Sequence, residues 1–180
     1  MKRNSEETSA YIIDKVAPVF NKKGYIGTSL SDLNEATQLT KGAIYCNFTN
    51  KEDLAKQAFK HNVKKILGPL QEAVMKPESS IDKLLAMTNF YRNYYEISML
   101  SGGCPVLNVG IDAKHNNPEL YEAAKEESIR LLKGLNVIIK QGVKNGEIKK
   151  DVNPRIYAQN IYSMIEGSVF MAATHESNEY

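Results

Sequence analysis

Tryptophan is absent from this 180-residue chain, and cysteine is limited to Cys46 and Cys104. Two thiols without CxxC spacing are too few for a disulfide framework, so both are expected as reduced thiols. No apolar run approaches the roughly 18 residues that span a bilayer, and the N-terminal MKRNSEETSAY has no signal-peptide core. The expected compartment is therefore the cytoplasm, with no membrane partner. Alternation at period two never persists, which excludes sheet and leaves an all-α chain. Catalytic signatures are missing too: there is no HExxH, no Gly-rich phosphate loop and no Gly-x-Ser-x-Gly, and His61, His115 and His175 are far apart. His115 with Asp112 and Glu119 has metal-binding residue types, but an exposed loop accounts for them as well. The chain reads as a non-enzyme with no cofactor and no metal.

What is present is an ordinary globular composition, 42% hydrophobic and 24% charged, with ten Tyr and five Phe supplying aromatic bulk. The length suits one large domain or a small domain joined to a larger one. The net charge is only +2, but it is unevenly spread. Residues 1–67 carry eleven Lys or Arg against seven Asp or Glu, whereas 68–180 carry twelve against fourteen. The basic excess lies on the N-terminal part, which suits an anionic partner and equally an ordinary solvated surface.

That part is crowded with short helix signals. Ile12, Ile13, Val16, Ala17 and Phe20 form a helical stripe, with a kink expected at Pro18 and a stop at Gly24. Ser29 caps a second helix with Asp32 three residues on, and Thr40 caps a third over Lys41 to Asn47, with Ile44 and Phe48 inward. Asn50 caps a fourth helix whose first turn carries Glu52 and Asp53. Short helices joined by the turn Thr37-Gln38-Leu39 make a helix-turn-helix, about 29–48. Such helices are unstable alone, so a unit that crowds them together is built to present one of them. Gly68-Pro69 reads as a break and residues 69–76 as at most a short helix. Longer helices follow, from Ser80 to about Leu100, from Asn117-Pro118 to about Gln141, and from Asn153-Pro154 to about Thr174. The last two are apolar on more than one side, and Ser163, Gly167 and Ser168 would permit close approach of another helix. A subunit interface built from them is expected.

The run GYIGTSLSDLNEATQLTKGAIYCNFTNKEDL resembles the N-terminal DNA-binding domain of the tetracycline-repressor (TetR/AcrR) family of bacterial transcriptional regulators. The likeness is ordered from Ile12 to Leu54. It includes Phe20 and Gly24-Tyr25 at the end of the first helix, Thr28-Ser29 at the start of the second, then Tyr45-x-x-Phe48 and Lys51-Glu52-x-Leu54. Further on, GGCPVLN at 102–108 and Glu166-Gly167 resemble ligand-domain segments of some members.

The resemblance implies a DNA-binding domain over 1–67 and a helical ligand-binding and dimerisation domain over 68–180. It implies a homodimeric repressor of a palindromic double-stranded operator, with the third helix in the major groove. By position, Thr28 and Ser29 would contact phosphate, and Thr40, Lys41, Gly42 and Ala43 would meet base edges or phosphate. Tyr45 and Asn47 would reach the backbone, and Lys51 would bind phosphate. Helix N-termini with free N–H groups attract phosphate, which suits these positions independently. Phosphate contacts position and base contacts specify, so Lys41 and Asn47 are the candidates for readout, Tyr45 and Lys51 for positioning. Gln38 stands where the family turn usually has glycine, implying either a left-handed residue or an altered turn.

A repressor of this kind is released when a small-molecule effector changes the spacing of its two heads, roughly 34 Å for half-sites one turn apart. Met87, Phe90, Tyr91, Tyr94, Tyr95 and Met99 have the makings of an effector pocket, apolar with a few hydroxyls, and also of a plain core. An alternative trigger is Cys104. At a helix start a thiol becomes sensitive to oxidants or electrophiles, although a small buried thiol is the commoner role.

Overall fold

The computed structural model describes residues 5–180, with side chains at all of these except 98–100. Among the described residues the regular elements are all helical: α1 (Ser5–Gly27), α2 (Leu30–Thr37), α3 (Lys41–Tyr45), α4 (Lys51–Met75), α5 (Ser80–Arg92), α6 (Tyr94–Ser101), α7 (Pro105–Asp112), α8 (Pro118–Asn145) and α9 (Pro154–His175), with a 3₁₀ turn at Ala113–His115. The all-α expectation holds. The chain forms two compact units. The first takes in the chain through residue 65 together with 105–125, and the second 66–104 with 126–180. The contiguous division expected at 67/68 thus leaves out α7 and the start of α8, which belong with the N-terminal helices.

In the first unit, Ile12, Val16, Ala17 and Phe20 of α1 are buried together with Leu33, Ile44, Phe48, Leu54, Ala58 and Phe59. Each of these side chains larger than alanine contributes about 1.5–3 kcal/mol on burial, which lets helices of five and eight residues persist. α1 packs on α2 and on α7. The buried Asn62 of α4 donates to the Ala17 carbonyl at 2.7 Å, the acceptor of a residue adjacent to Pro18. α1 continues through Pro18, and its break falls instead at Gly24 (φ 73°, ψ 173°). Buried residues on both sides of Pro18 hold the helix despite the missing donor.

The second unit is centred on buried Leu70, Met87, Leu135, Ile139 and Ala158, with Phe90, Tyr91, Tyr162 and Ile165 packed around them. α6 packs on α9. The N-terminus of α5 is capped twice: Ser79, not Ser80, accepts from the Asp82 N–H, and Glu147 accepts from the Ser80 and Ile81 N–H groups. Gly68-Pro69 does not break α4. Ile66, Leu67 and Leu70 are buried around it, and their burial holds the helical path past the proline. The helix from residue 80 ends sooner than expected, at Arg92, with Asn93 as its cap. Asn117 and Asn153 accept from first-turn N–H groups of α8 and α9, as the Asn-Pro signals imply.

Candidate nucleic-acid interface

Three capped helix starts lie within residues 29–53 of the first unit. Ser29 and Asp32 form a reciprocal capping box on α2. The Thr40 hydroxyl accepts from the Ala43 N–H at 3.3 Å, and Asn50 Oδ1 from the Asp53 N–H at 2.8 Å. Between α2 and α3, Gln38 takes the left-handed conformation (φ 56°, ψ 28°), the glycine-like solution, and its amide donates to the Glu35 carbonyl. The turn therefore keeps its shape without glycine. Tyr11 donates to the Thr37 carbonyl and ties this turn to α1.

Thr40, Lys41 and Gly42 are all exposed at the leading turn of α3. A Cβ built at Gly42 would meet nothing within 4 Å, so the backbone there is open to close approach. Ala43 is half-buried. Tyr45 is half-buried as well, and burial followed by the neighbouring Tyr25 holds its phenol above its ordinary pKa. Ser29 is exposed, but its hydroxyl is engaged by Asp32.

Three of the expected contact residues have structural partners that the sequence did not reveal. Thr28 is buried and its hydroxyl donates to the Gly24 carbonyl at 2.6 Å, so its side chain closes the α1–α2 corner. Asn47 donates to the Ala43 carbonyl at 3.0 Å and accepts from the Ser5 and Ser9 hydroxyls at 3.4 and 3.3 Å. Its amide joins α3 to α1. Lys51 donates to the Tyr25 carbonyl at 2.6 Å and sits 4.6 Å from the Tyr25 ring centroid. Desolvation lowers the pKa of its ammonium, against the opposing charges of Asp112 and Asp32.

Asp112 of α7 accepts from the Tyr25 N–H at 2.6 Å, and Glu119 pairs with Lys56. These roles explain two acidic residues that the sequence left open to a metal.

In the second unit, the ring centroids of Phe90, Tyr91 and Tyr94 lie 5.2–5.6 Å apart. Tyr94 is 2% exposed and its hydroxyl has no hydrogen-bond partner. Cys104, directly before α7, is buried, and its thiol lies 3.5 Å from Glu166 Oε1. Burial raises the pKa of the Glu166 carboxyl on α9, with Cys104 and Tyr162 opposing. Burial likewise raises the phenols of Tyr91, Tyr94 and Tyr162. Tyr95 is half-buried, and the Met99 side chain falls outside the described residues. Met87 instead lines an open apolar groove of about 440 Å³ with Leu70, Val74, Leu131 and Ile138.

The sequence pattern of "Bacterial regulatory proteins, tetR family" matches residues 12–58, and that of "Tetracyclin repressor-like, C-terminal domain" matches 80–180. A TetR-family transcriptional regulator from Cytophaga hutchinsonii is 35% identical and superposes with a TM-score of 0.90, over 100% of this chain and 90% of that one. One from Chloroflexus aurantiacus is 32% identical with a TM-score of 0.91, over 98% and 89%. The fatty acid metabolism regulator protein of Bacillus subtilis is 26% identical over 88% of this chain and 79% of its own. Matched along both halves, this chain belongs to the TetR family of DNA-binding transcriptional regulators.

Proposed function

We propose that the protein is a homodimeric repressor that inserts the leading turn of α3 into successive major grooves of a palindromic operator and is released by a small-molecule effector. The observation that carries the first part is the exposed Thr40-Lys41-Gly42 stretch on a capped helix start, flanked by two more such starts. Free N–H groups at these termini attract phosphate, and the exposed Lys41 has no partner among the described residues. Lys51, tied to Tyr25, positions α4 and offers its remaining donors to phosphate. Asn47 supports the reading helix by holding it to α1, and readout falls to Lys41 and its neighbours.

Dimerisation is supported by an uncovered face of α9. Ile156, Tyr157, Ser163, Met164, Gly167 and Phe170 are all exposed on one side of it, with Ile129 and Val137 exposed on α8. A contiguous apolar face with small residues at its middle suits close helix packing against a second copy. Effector binding is supported by the Tyr94 hydroxyl and Glu166 Oε2, both buried without a partner, in the unit that holds the Phe90, Tyr91 and Tyr94 rings. Effector binding is preferred to thiol oxidation because Cys104 is only 3% exposed.

Selection of bound fragments from genomic DNA, followed by gel shift on the DNA adjoining its own gene, tests the reading. A two-fold-symmetric site bound by a dimer is expected. A monomer indifferent to DNA at low salt would overturn it.

A further inference from the structure

In the second unit the half-buried Glu166 has no counter-charge among the described residues. Its Oε1 lies 3.5 Å from the Cys104 thiol, while Oε2 is buried without a partner. The groups that influence it are the Cys104 thiol and the Tyr162 phenol; the Tyr91 and Tyr94 phenols respond to its charge. None of these is a cation. Thiol and phenol are both donors, and donors directed at a carboxyl favour its ionised form. The surroundings are thus arranged for a carboxylate, yet burial opposes ionisation and no positive group is there to offset it.

A second orphan in this unit feels the charge of Glu166. The Tyr94 hydroxyl is buried without a partner, and its ring meets those of Phe90 and Tyr91. An acceptor oxygen on Glu166, an acceptor oxygen on Tyr94 and aromatic faces together lack one thing, a positive charge carrying several N–H donors. An alkylammonium supplies three donors on a point charge, and aromatic faces attract it further.

We infer that Glu166 and Tyr94 form the recognition subsite for a protonated organic amine, held at Glu166 Oε2 and the Tyr94 hydroxyl with its apolar body against Phe90 and Tyr91. This rests on the reading that the cluster receives the effector, and it specifies the effector's class. When Glu166 enters as the acid, binding transfers its proton to solvent and leaves a carboxylate–ammonium pair. Amine affinity then falls as the pH is lowered, because protons and ligand compete for the same oxygen.

The test uses the full chain and three probes of matched shape, 2-phenylethylamine, 2-phenylethanol and 3-phenylpropanoate, titrated by calorimetry in buffers of different ionisation enthalpy. The amine is expected to bind best, and more weakly as the pH is lowered. Glu166→Gln should weaken the amine about tenfold or more, the loss of a charged hydrogen bond, while leaving the alcohol within about threefold. Tyr94→Phe keeps the ring, should weaken the amine severalfold, and provides the test if Glu166→Gln does not fold. Equal or tighter binding of the alcohol or the acid would overturn the amine class and leave the effector cluster standing. Amine binding unmoved by both substitutions would overturn the subsite. If none of the three binds, the subsite and the effector reading of this cluster both fall.

Discussion

The Lys51 ammonium donates to the Tyr25 carbonyl at 2.6 Å and lies over the Tyr25 ring, so the first residue of α4 closes the C-terminal end of α1. Lys51→Met should therefore cost about 1–2 kcal/mol in urea unfolding, the worth of a charge-assisted hydrogen bond, besides weakening all DNA sequences alike. Lys41→Ala should leave stability unchanged, reduce the salt slope of DNA binding by about 1 and change the preference among operator variants. Unaltered stability in Lys51→Met would show that the contact is incidental.

Gly24 is a second fixed point. Its backbone lies where non-glycine residues are strained, and an added Cβ would approach Asp112 Oδ1 to 2.7 Å. Asp112 is also the acceptor for the Tyr25 N–H. Gly24→Ala should destabilise the protein by about 2–4 kcal/mol, combining backbone strain with loss of that acceptor's position. A thermal midpoint equal to that of the parent chain would contradict this account.

Asp32 carries an acid-dependent share of stability. The Lys23 ammonium first, then the Ser29 N–H and hydroxyl, hold its carboxyl well below the usual carboxylate range. A depressed folded-state pKa stabilises above the unfolded value, about 3.9, and that stability is lost as the pH falls through the folded-state pKa. The loss of stability below about pH 4 should be shallower in Asp32→Asn, whose stability at neutral pH is lower throughout. Parallel acid limbs in the two proteins would remove Asp32 from the explanation.

The exposed face of α9 makes a prediction about assembly. Met164 is 71% exposed in the single chain. Met164→Arg would place a charge at the centre of the proposed two-fold contact, so sedimentation should show a monomer with helicity intact and operator affinity sharply reduced. A dimer that survives this change would place the interface elsewhere.

Helix starts were the most legible part of the fold. Ser29, Thr40, Asn50 and Asn117-Pro118 act on N–H groups two or three residues away, so their effect is written locally. Breaks were less legible. Pro69 lies inside a helix because buried neighbours on either side hold it there, whereas the helix after Ser80 ends at Asn93 without glycine or proline. The eight-residue α7 that starts at Pro105 packs on α1, a contact that no local signal writes into the sequence.

The candidate interface was legible as a motif but not in its individual roles. Asn47 is a readout candidate by its position, and only the fold brings the Ser5 and Ser9 hydroxyls, some 40 residues earlier, to its amide oxygen. The local sequence does not mark Glu166 as a chemical group, because Cys104 and Tyr91 lie 62 and 75 positions away from it.

By itself the sequence determined the helical class, the capped starts of the reading unit and the family, since each depends on residues close together along the chain. Only the tertiary structure decided which polar side chains remain available and which are spent holding helices together. Burial and hydrogen-bond partnership are properties of neighbours in space, and for Thr28, Asn47, Lys51 and Glu166 those neighbours arrive with folding.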